Sequence, residues 1–419
     1  MSRGSRRYDR AVWSWAAYDW ANSAFALTVM TTFVPLLLAG YWNDGAPSSV
    51  GTFRLGMANS LSSLAVALLV PVIGALADRS GRRRAWLIMT TMLGVCATGA
   101  LALVRAGQWE LALGCYVAGA FAFAVANALY DSLLVGVAPA GELDRVSALG
   151  YGVGYIGSAL LFGVNAVMVA SPATFGFATA DAAARAGFVM VALWWLVFSI
   201  PLARWVPEPP VAAAAASGDV WRELLATLRE VRADPTVWRF LLAYWLYIDA
   251  VYTIIKMAVD YGLAIGLGPD DLVLAILATN VVAFPAAIAF GWLAGRIGTR
   301  RGVLVGLLVY IGATIAAPSI ETAAGFYALA IVVGLVQGGV QSLSRSLYAR
   351  LVPPQKSAEY FGFYNMVGKF AAIIGPALAG IVALATGSQR IGILSLLALF
   401  IAGALLLASA RDARLAGTA

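Results

Sequence analysis

The sequence contains no histidine. This excludes histidine-ligated zinc, an imidazole proton switch and any Ser-His-Asp hydrolytic site, and leaves carboxylates as the natural proton carriers. Cysteine is almost as scarce. Only Cys96 and Cys115 are present, both inside apolar runs, so no disulfide framework is expected. Charge is also in short supply, at 12% of 419 residues, against 61% hydrophobic residues. A soluble protein of this length needs far more charge to cover its surface. No P-loop, metal-ligand cluster or large soluble region is present either, so neither an enzyme nor a cofactor is expected.

What is present is a succession of apolar runs of membrane-spanning length. The runs lie at about residues 13–39, 53–77, 85–105, 109–137, 146–170 and 186–206. A second set follows at about 238–266, 271–294, 302–320, 323–349, 358–385 and 390–410. The basic start "MSRGSRRYDR" resembles a signal peptide, but the run behind it is too long and is interrupted by Asp19 and Asn22. It reads as a retained first span.

The formal charge of +7 comes from cations clustered between spans, which is a pattern of membrane orientation and not of nucleic-acid binding. With the N-terminus and the even-to-odd loops in the cytoplasm, 21 of the 28 Arg and Lys residues fall inside. Arg54, Arg105, Arg185 and Arg390 fall outside, and Lys256, Arg345 and Lys369 fall within spans. Both termini are therefore expected in the cytoplasm, and the membrane of a bacterial chain would be the plasma (inner) membrane.

Three segments are expected: a six-helix bundle at 1–206, a cytoplasmic connection at 207–237 and a second bundle at 238–419. Pro207, Pro209 and Pro210 stop the sixth span, and an alanine run follows. Then Trp221, Leu224, Leu225, Leu228 and Val231 recur at helical spacing, with Arg222, Arg229 and Arg232 between them. This predicts an amphipathic helix at the cytoplasmic interface, acting as a tether or as a regulatory contact.

The stretch "GALADRSGRRR" at 74–84 ends the second span, and "GWLAGRIGTRR" at 291–301 ends the eighth. Gly74 permits close approach of a neighbouring helix. Asp78 falls at the C-terminal end of its own helix, where the macrodipole disfavours an anion. It therefore needs a partner elsewhere, such as a loop arginine or the N-terminal end of span five or eleven. Together with Arg79, Gly81, Arg82 and Arg83 it would form an ionic latch. The second copy has Gly295 in place of the acid. Setting Pro139 on Pro353 also aligns spans four and ten, placing Asn127 on Gln341 and Asp131 on Arg345.

The 74–84 pattern resembles the signature of the major facilitator superfamily. The resemblance implies an all-α polytopic membrane protein with twelve transmembrane helices in a 6+6 pseudo-symmetric arrangement, and favours span eleven as the partner of Asp78.

Asp19, Asp131, Asp249, Lys256, Arg345 and Lys369 all fall within spans. Unpaired in lipid they would together cost on the order of 10–20 kcal/mol. They must face protein or water. Spans three, six, nine and twelve carry no Asp, Glu, Lys or Arg in their interiors, which predicts that every third helix faces lipid while the others enclose a cavity. Asp19 and Asn22, one turn apart, would offer an acceptor and an amide to an ammonium-bearing substrate or a proton. Asp249 and Lys369, both near mid-span, are expected to pair, either as a structural ion pair or as a coupling pair. Asp131 and Arg345 are expected to pair across the halves when the cytoplasmic side is closed. Asn22, Gln337, Gln341 and Asn365 could bind substrate or bond helix to helix, and Asn127 is a further substrate or coupling candidate.

"YDWANSAF" in span one, "GLVQGGVQSLSRSLYARLVP" in span ten and "AEYFGFYNMVGKFAAIIGPALAG" in span eleven resemble the vacuole effluxer family of that superfamily. That resemblance points to Tyr18, Asp19, Asn22, Gln337, Gln341, Ser344, Arg345, Asn365 and Lys369. It implies a secondary transporter of a small polar solute, an amino acid in fungal members, coupled to protons through carboxylates and acting as a monomer in the bilayer. A lipid or amphiphile flippase is the alternative on the same fold. Span five lacks the Gly-Pro of many drug antiporters, and Gly375-Pro376 lies in span eleven instead.

Overall fold

A computed structural model describes residues 8–208, 219–371 and 373–410. The alanine run at 211–218, with Pro209 and Pro210, lies outside the described residues, as do Arg3, Arg6, Arg7 and the C-terminal arginines. Among the described residues, twelve helices are long and apolar enough to cross a membrane. Spans one to six are Arg10–Ala39, Ser49–Ser80, Arg83–Leu101, Trp109–Val137, Leu143–Ala170 and Ala180–Trp205. Spans seven to twelve are Pro235–Leu263, Pro269–Ile297, Thr299–Ser319, Ala323–Ala349, Pro354–Thr386 and Arg390–Ser409.

The two sets meet along spans two, four and five of the first and spans eight, ten and eleven of the second. Glycines make that approach possible. A Cβ at Gly74 would run into the carbonyl of Ala358 at the start of span eleven. In the second copy of the motif, a Cβ at Gly291 would lie 2.7 Å from Ala148 Cβ and 3.3 Å from the Asp144 carbonyl oxygen, at the start of span five. Span two therefore rests on span eleven as span eight rests on span five, the crossed contact that the sequence repeat prescribes.

Two spans depart from a regular helix. Span one turns into a π-helix over Phe25–Phe33, where the hydroxyls of Thr31 and Thr32 donate to the carbonyls of Ala26 and Leu27, five residues back, at 2.9 and 3.1 Å. Span eleven is interrupted: one helix covers Ser357–Phe370 and another Ile374–Thr386. Pro376 has no N–H to donate and sits in the first turn of the second segment, where none is needed.

The connection between the halves contains the helix Val220–Ala233, capped by Asp219, which accepts from the Trp221 amide at 3.1 Å. Its apolar residues divide. Leu224 and Val231 are buried, Leu224 in a cluster with Ala75 and Phe363 of spans two and eleven. Trp221, Leu225 and Leu228 are exposed. The single apolar stripe expected from the sequence is thus two faces, one turned to the protein and one turned away.

Candidate functional site

Span five carries Gly150, Gly154 and Gly157 on the side facing span one. A Cβ at Gly150 would lie 2.9 Å from the Trp15 ring and 3.0 Å from Arg345 Nη2, and one at Gly154 would lie 2.7 Å from Ser23 Oγ and 3.1 Å from Asp19 Oδ1. Three small residues thus leave room for a charged cluster between the halves.

At its centre is Arg345 of span ten, fully buried. Nη1 donates to Asp131 Oδ1 at 3.0 Å and to Asp19 Oδ2 at 3.4 Å, Nε donates to Ser147 Oγ at 2.9 Å, and Nη2 donates to the Ser147 carbonyl at 2.8 Å. The guanidinium lies over the rings of Trp15, Tyr130 and Tyr151, with Cζ 4.3 to 5.4 Å from their centroids. Asp131 also accepts from Asn365 Nδ2 at 3.2 Å. Asp19 accepts from Tyr130 Oη at 3.2 Å and Ser23 Oγ at 3.3 Å. Two carboxylates share one guanidinium, so with both ionised the cluster carries one uncompensated negative charge. In a medium of low dielectric such an excess is costly unless a cation answers it.

Asp19 faces a cavity of about 430 Å3 between the halves. Asp19, Gln337 and Gln341 lie toward the Arg345 end of it. Its wall includes Tyr151, Tyr155 and Tyr252, with Ser23, Ser158, Thr279 and Asn280 as further polar groups. It extends to Leu272 and Phe326 in the first turns of spans eight and ten, and among the described residues none of its lining comes from spans three, six, nine or twelve. The size falls in the range of roughly 300–1,000 Å3 typical of small-molecule sites.

The opposite end is closed by contacts between the halves. Asp78 accepts from the amides of Ala358 and Glu359 at 3.2 and 2.9 Å and pairs with Arg83. Those amides are free donors at the start of span eleven, which answers the poor placement of Asp78 on its own helix. Arg83 Nη2 continues to the carbonyls of Pro354 and Gln355 at 2.8 and 2.9 Å. Gly81, at φ +61°, makes the turn out of span two that positions these groups. Arg79 turns instead to Glu223 of the connecting helix at 2.5 Å, and Arg82 is exposed with no ion pair among the described residues.

A second set of contacts was not anticipated. Asp144, in the first turn of span five, accepts from Arg350 Nη1 and Nη2 at 2.9 and 2.8 Å, Ser346 Oγ at 2.5 Å and Thr299 Oγ1 at 2.8 Å. The acid missing at Gly295 is thus supplied from the facing helix. In sequence it reads as an ordinary first-turn carboxylate, which is why it was overlooked. The lining tyrosines Tyr151, Tyr155 and Tyr252 were also missed, because an aromatic within a span reads as core.

Several expected positions are corrected. Asn22, expected in the cavity, is not among its lining residues and takes the helix-to-helix reading instead: its Nδ2 donates to Asn127 Oδ1 at 2.5 Å, an amide pair joining spans one and four. Tyr18 is fully buried, with its hydroxyl 2.8 Å from Thr91 Oγ1. Ser344 bonds with Tyr247 Oη at 2.6 Å. Asp249 does not pair with Lys369. Its Oδ2 accepts from the Ile374 amide at 3.1 Å and its Oδ1 from the Gly375 amide at 3.0 Å. The interruption of span eleven frees amides that compete for the carboxylate, and Lys369, half-buried, makes no ion pair among the described residues.

Residues 49–414 match the family model described as "Vacuole effluxer Atg22 like". The chain belongs to the Atg22-like vacuole effluxer family. It is 36% identical over 412 residues to the "Uncharacterized MFS-type transporter YxiO" of Bacillus subtilis (strain 168), covering 96% of this chain and 95% of that one. "Autophagy-related protein 22-1" of Aspergillus niger is 28% identical over 268 residues, covering 57% of this chain and 42% of its own length. The fold is similar to that of the human organic anion transporter MFSD10, with a TM-score of 0.73 at 17% identity over 95% of this chain and 99% of that one. It is also similar to the Escherichia coli fucose:proton symporter FucP, with a TM-score of 0.72 at 13% identity over 96% and 100%. This member of the Atg22-like family is a multi-pass membrane protein with the major facilitator fold. It is a transporter of a small molecule, not an enzyme.

Proposed function

We propose that the protein is a secondary active transporter that moves a small polar solute bearing an ammonium group by alternating access, coupled to protons through Asp19. The observation that carries this reading is the sharing of Arg345 by Asp19 and Asp131, with Asp19 alone of the two carboxylates lining the cavity. The uncompensated negative charge at the cavity floor is answered by a cation arriving from the cavity, either a proton or an ammonium. Competition between the two for one carboxylate is a physical basis for exchange. The cations between spans favour both termini in the cytoplasm, so the cavity opens away from the cytoplasm and the Asp78 and Asp144 contacts close the cytoplasmic end. The two bundles, 1–206 and 238–419, would rock about this site as units. The amino-acid association of fungal relatives supports testing amino acids first, in the direction of efflux.

The test is counterflow of radiolabelled amino acids in proteoliposomes. Wild-type protein should exchange at least one of them, and Asp19→Asn should not. Exchange at the wild-type rate by Asp19→Asn would refute the site. The apolar part of the wall, with Ile255, Val259 and Leu329 among its residues, favours a second reading as an exporter of lipids or amphiphiles. A fluorescent-lipid translocation assay run beside counterflow separates the two.

A further inference from the structure

The connecting helix, Val220–Ala233, does two things at once. Its inner side ties the halves together at the closed end. Glu223 pairs with Arg79 of span two at 2.5 Å, while Glu230 pairs with Lys356 at the start of span eleven at 2.9 Å, and Lys356 Nζ also donates to Thr227 Oγ1 at 3.3 Å. Its outer side leaves Trp221, Leu225 and Leu228 exposed, at 57%, 53% and 40%. At 100° per residue, Arg232 falls within that stripe and Arg229 and Arg222 along one edge of it. All three arginines are exposed and make no ion pair or side-chain hydrogen bond among the described residues, whereas both glutamates of the helix are ion-paired, Glu223 part-buried and Glu230 exposed on the side away from the apolar stripe.

We propose that this outer face docks on the anionic phospholipid surface of the cytoplasmic leaflet, and that docking holds the cytoplasmic end of the transporter closed. Charge complementarity selects the occupant. Neither glutamate of the helix falls on the apolar stripe and both are already paired, while three guanidinium groups lie in or beside that stripe, which is headed by tryptophan, the residue that favours the headgroup boundary. An acidic protein partner would satisfy the arginines but would leave no reason for Trp221, Leu225 and Leu228 to lie beside them. Because the inner side of the same helix grips Arg79 and Lys356, lifting the helix from the lipid removes both ties across the closed end. The proposal rests on the orientation given above, with this helix in the cytoplasm. It does not depend on the identity of the solute.

The experiment uses the full chain, with Cys96 and Cys115 replaced by serine, in phosphatidylcholine vesicles with and without phosphatidylglycerol. Leu225→Cys carries a fluorophore quenched by brominated lipid. Separately, Ala140→Cys and Gln355→Cys carry spin labels that report separation of the two halves at the closed end. Phosphatidylglycerol should increase quenching at position 225 and the closed population together, and added salt should reverse both. Each arginine near an anionic surface changes the docking equilibrium roughly fivefold, so Arg222→Gln/Arg229→Gln/Arg232→Gln should abolish the response to phosphatidylglycerol. If that variant misfolds, the salt titration of the arginine-bearing protein decides the matter. A label at 225 that no brominated lipid quenches, or a closed population indifferent to phosphatidylglycerol at low salt, would overturn the proposal. Loss of amino-acid counterflow with these lipid responses intact would refute the solute assignment and leave this proposal standing.

Discussion

Arg345 Nη1 lies 3.0 Å from Asp131 Oδ1, joining span ten to span four across the interface between the halves. The two residues occupy matching places in the sequence repeat, so the internal symmetry sets an acid against a base. A second carboxylate, Asp19, reaches the same nitrogen at 3.4 Å. Removing the base therefore strands two acids, whereas removing one acid leaves a neutral pair. The asymmetry has measurable consequences.

Arg345→Gln should destabilise the protein by about 3–5 kcal/mol, the usual cost of breaking a buried pair from one side. Adding Asp131→Asn and Asp19→Asn should recover most of that loss, because no buried charge remains uncompensated. Thermal melting of the purified protein in detergent checks both. Reversing the charges at 131 and 345 together should recover only part, since the carboxylate placed at 345 would face Asp19.

Asp19→Asn should behave differently. It leaves Arg345 and Asp131 balanced, so melting should stay within about 1 kcal/mol of the parent. Affinity for an ammonium-bearing ligand should fall at least about tenfold, the effect of a lost interaction of about 1.4 kcal/mol. Ligand-induced thermal shift measures this apart from transport.

Gly150→Ala should place a methyl group against Trp15, Tyr130 and Arg345 at 2.9–3.0 Å. Overpacking of this kind costs about 1–3 kcal/mol. A lowered melting temperature with unchanged helical content by circular dichroism is the expected outcome.

Asp249→Ala should uncap the second segment of span eleven, leaving the amides of Ile374 and Gly375 without their acceptor. The orphaned buried donor of Gly375 costs about 1–3 kcal/mol, and the part-buried amide of Ile374 less. Asp249→Asn keeps an acceptor oxygen and should cost less. Lys369→Ala should be nearly neutral in melting, which separates this arrangement from an Asp249–Lys369 ion pair.

How far the sequence carried depends on the kind of signal. The twelve spans follow from apolar length alone, and the family was legible from "YDWANSAF" and the span-ten and span-eleven blocks. The expectation for Asp249 and Lys369 rested on matched depth, which assumes that span eleven is continuous. Gly375-Pro376 was the available sign of an interruption, since a proline that cannot donate marks a helix start as readily as a functional motif. Asn22 was placed in the cavity because it lies one turn from Asp19. Depth and spacing do not reveal that Asn127 on span four stands opposite, and an amide in a water-poor interior takes the partner at hand. Asp144 was illegible for another reason: its partners Thr299, Ser346 and Arg350 come from two other spans, so no local pattern announces them.

The central claim is that the cavity lined by Asp19 is a pathway exposed to one side at a time. Its most direct test is Gln337→Cys in a chain with Cys96 and Cys115 replaced by serine, treated with a membrane-impermeant maleimide from either face of the bilayer. With Gly74 in place, reaction should come only from the face opposite the connecting helix. With Gly74→Val and Asp78→Asn, which push span two off span eleven and remove the acceptor for its first amides, reaction should appear from the helix side as well. Reaction from the helix side with Gly74 and Asp78 intact, or none from the opposite face, would contradict the account.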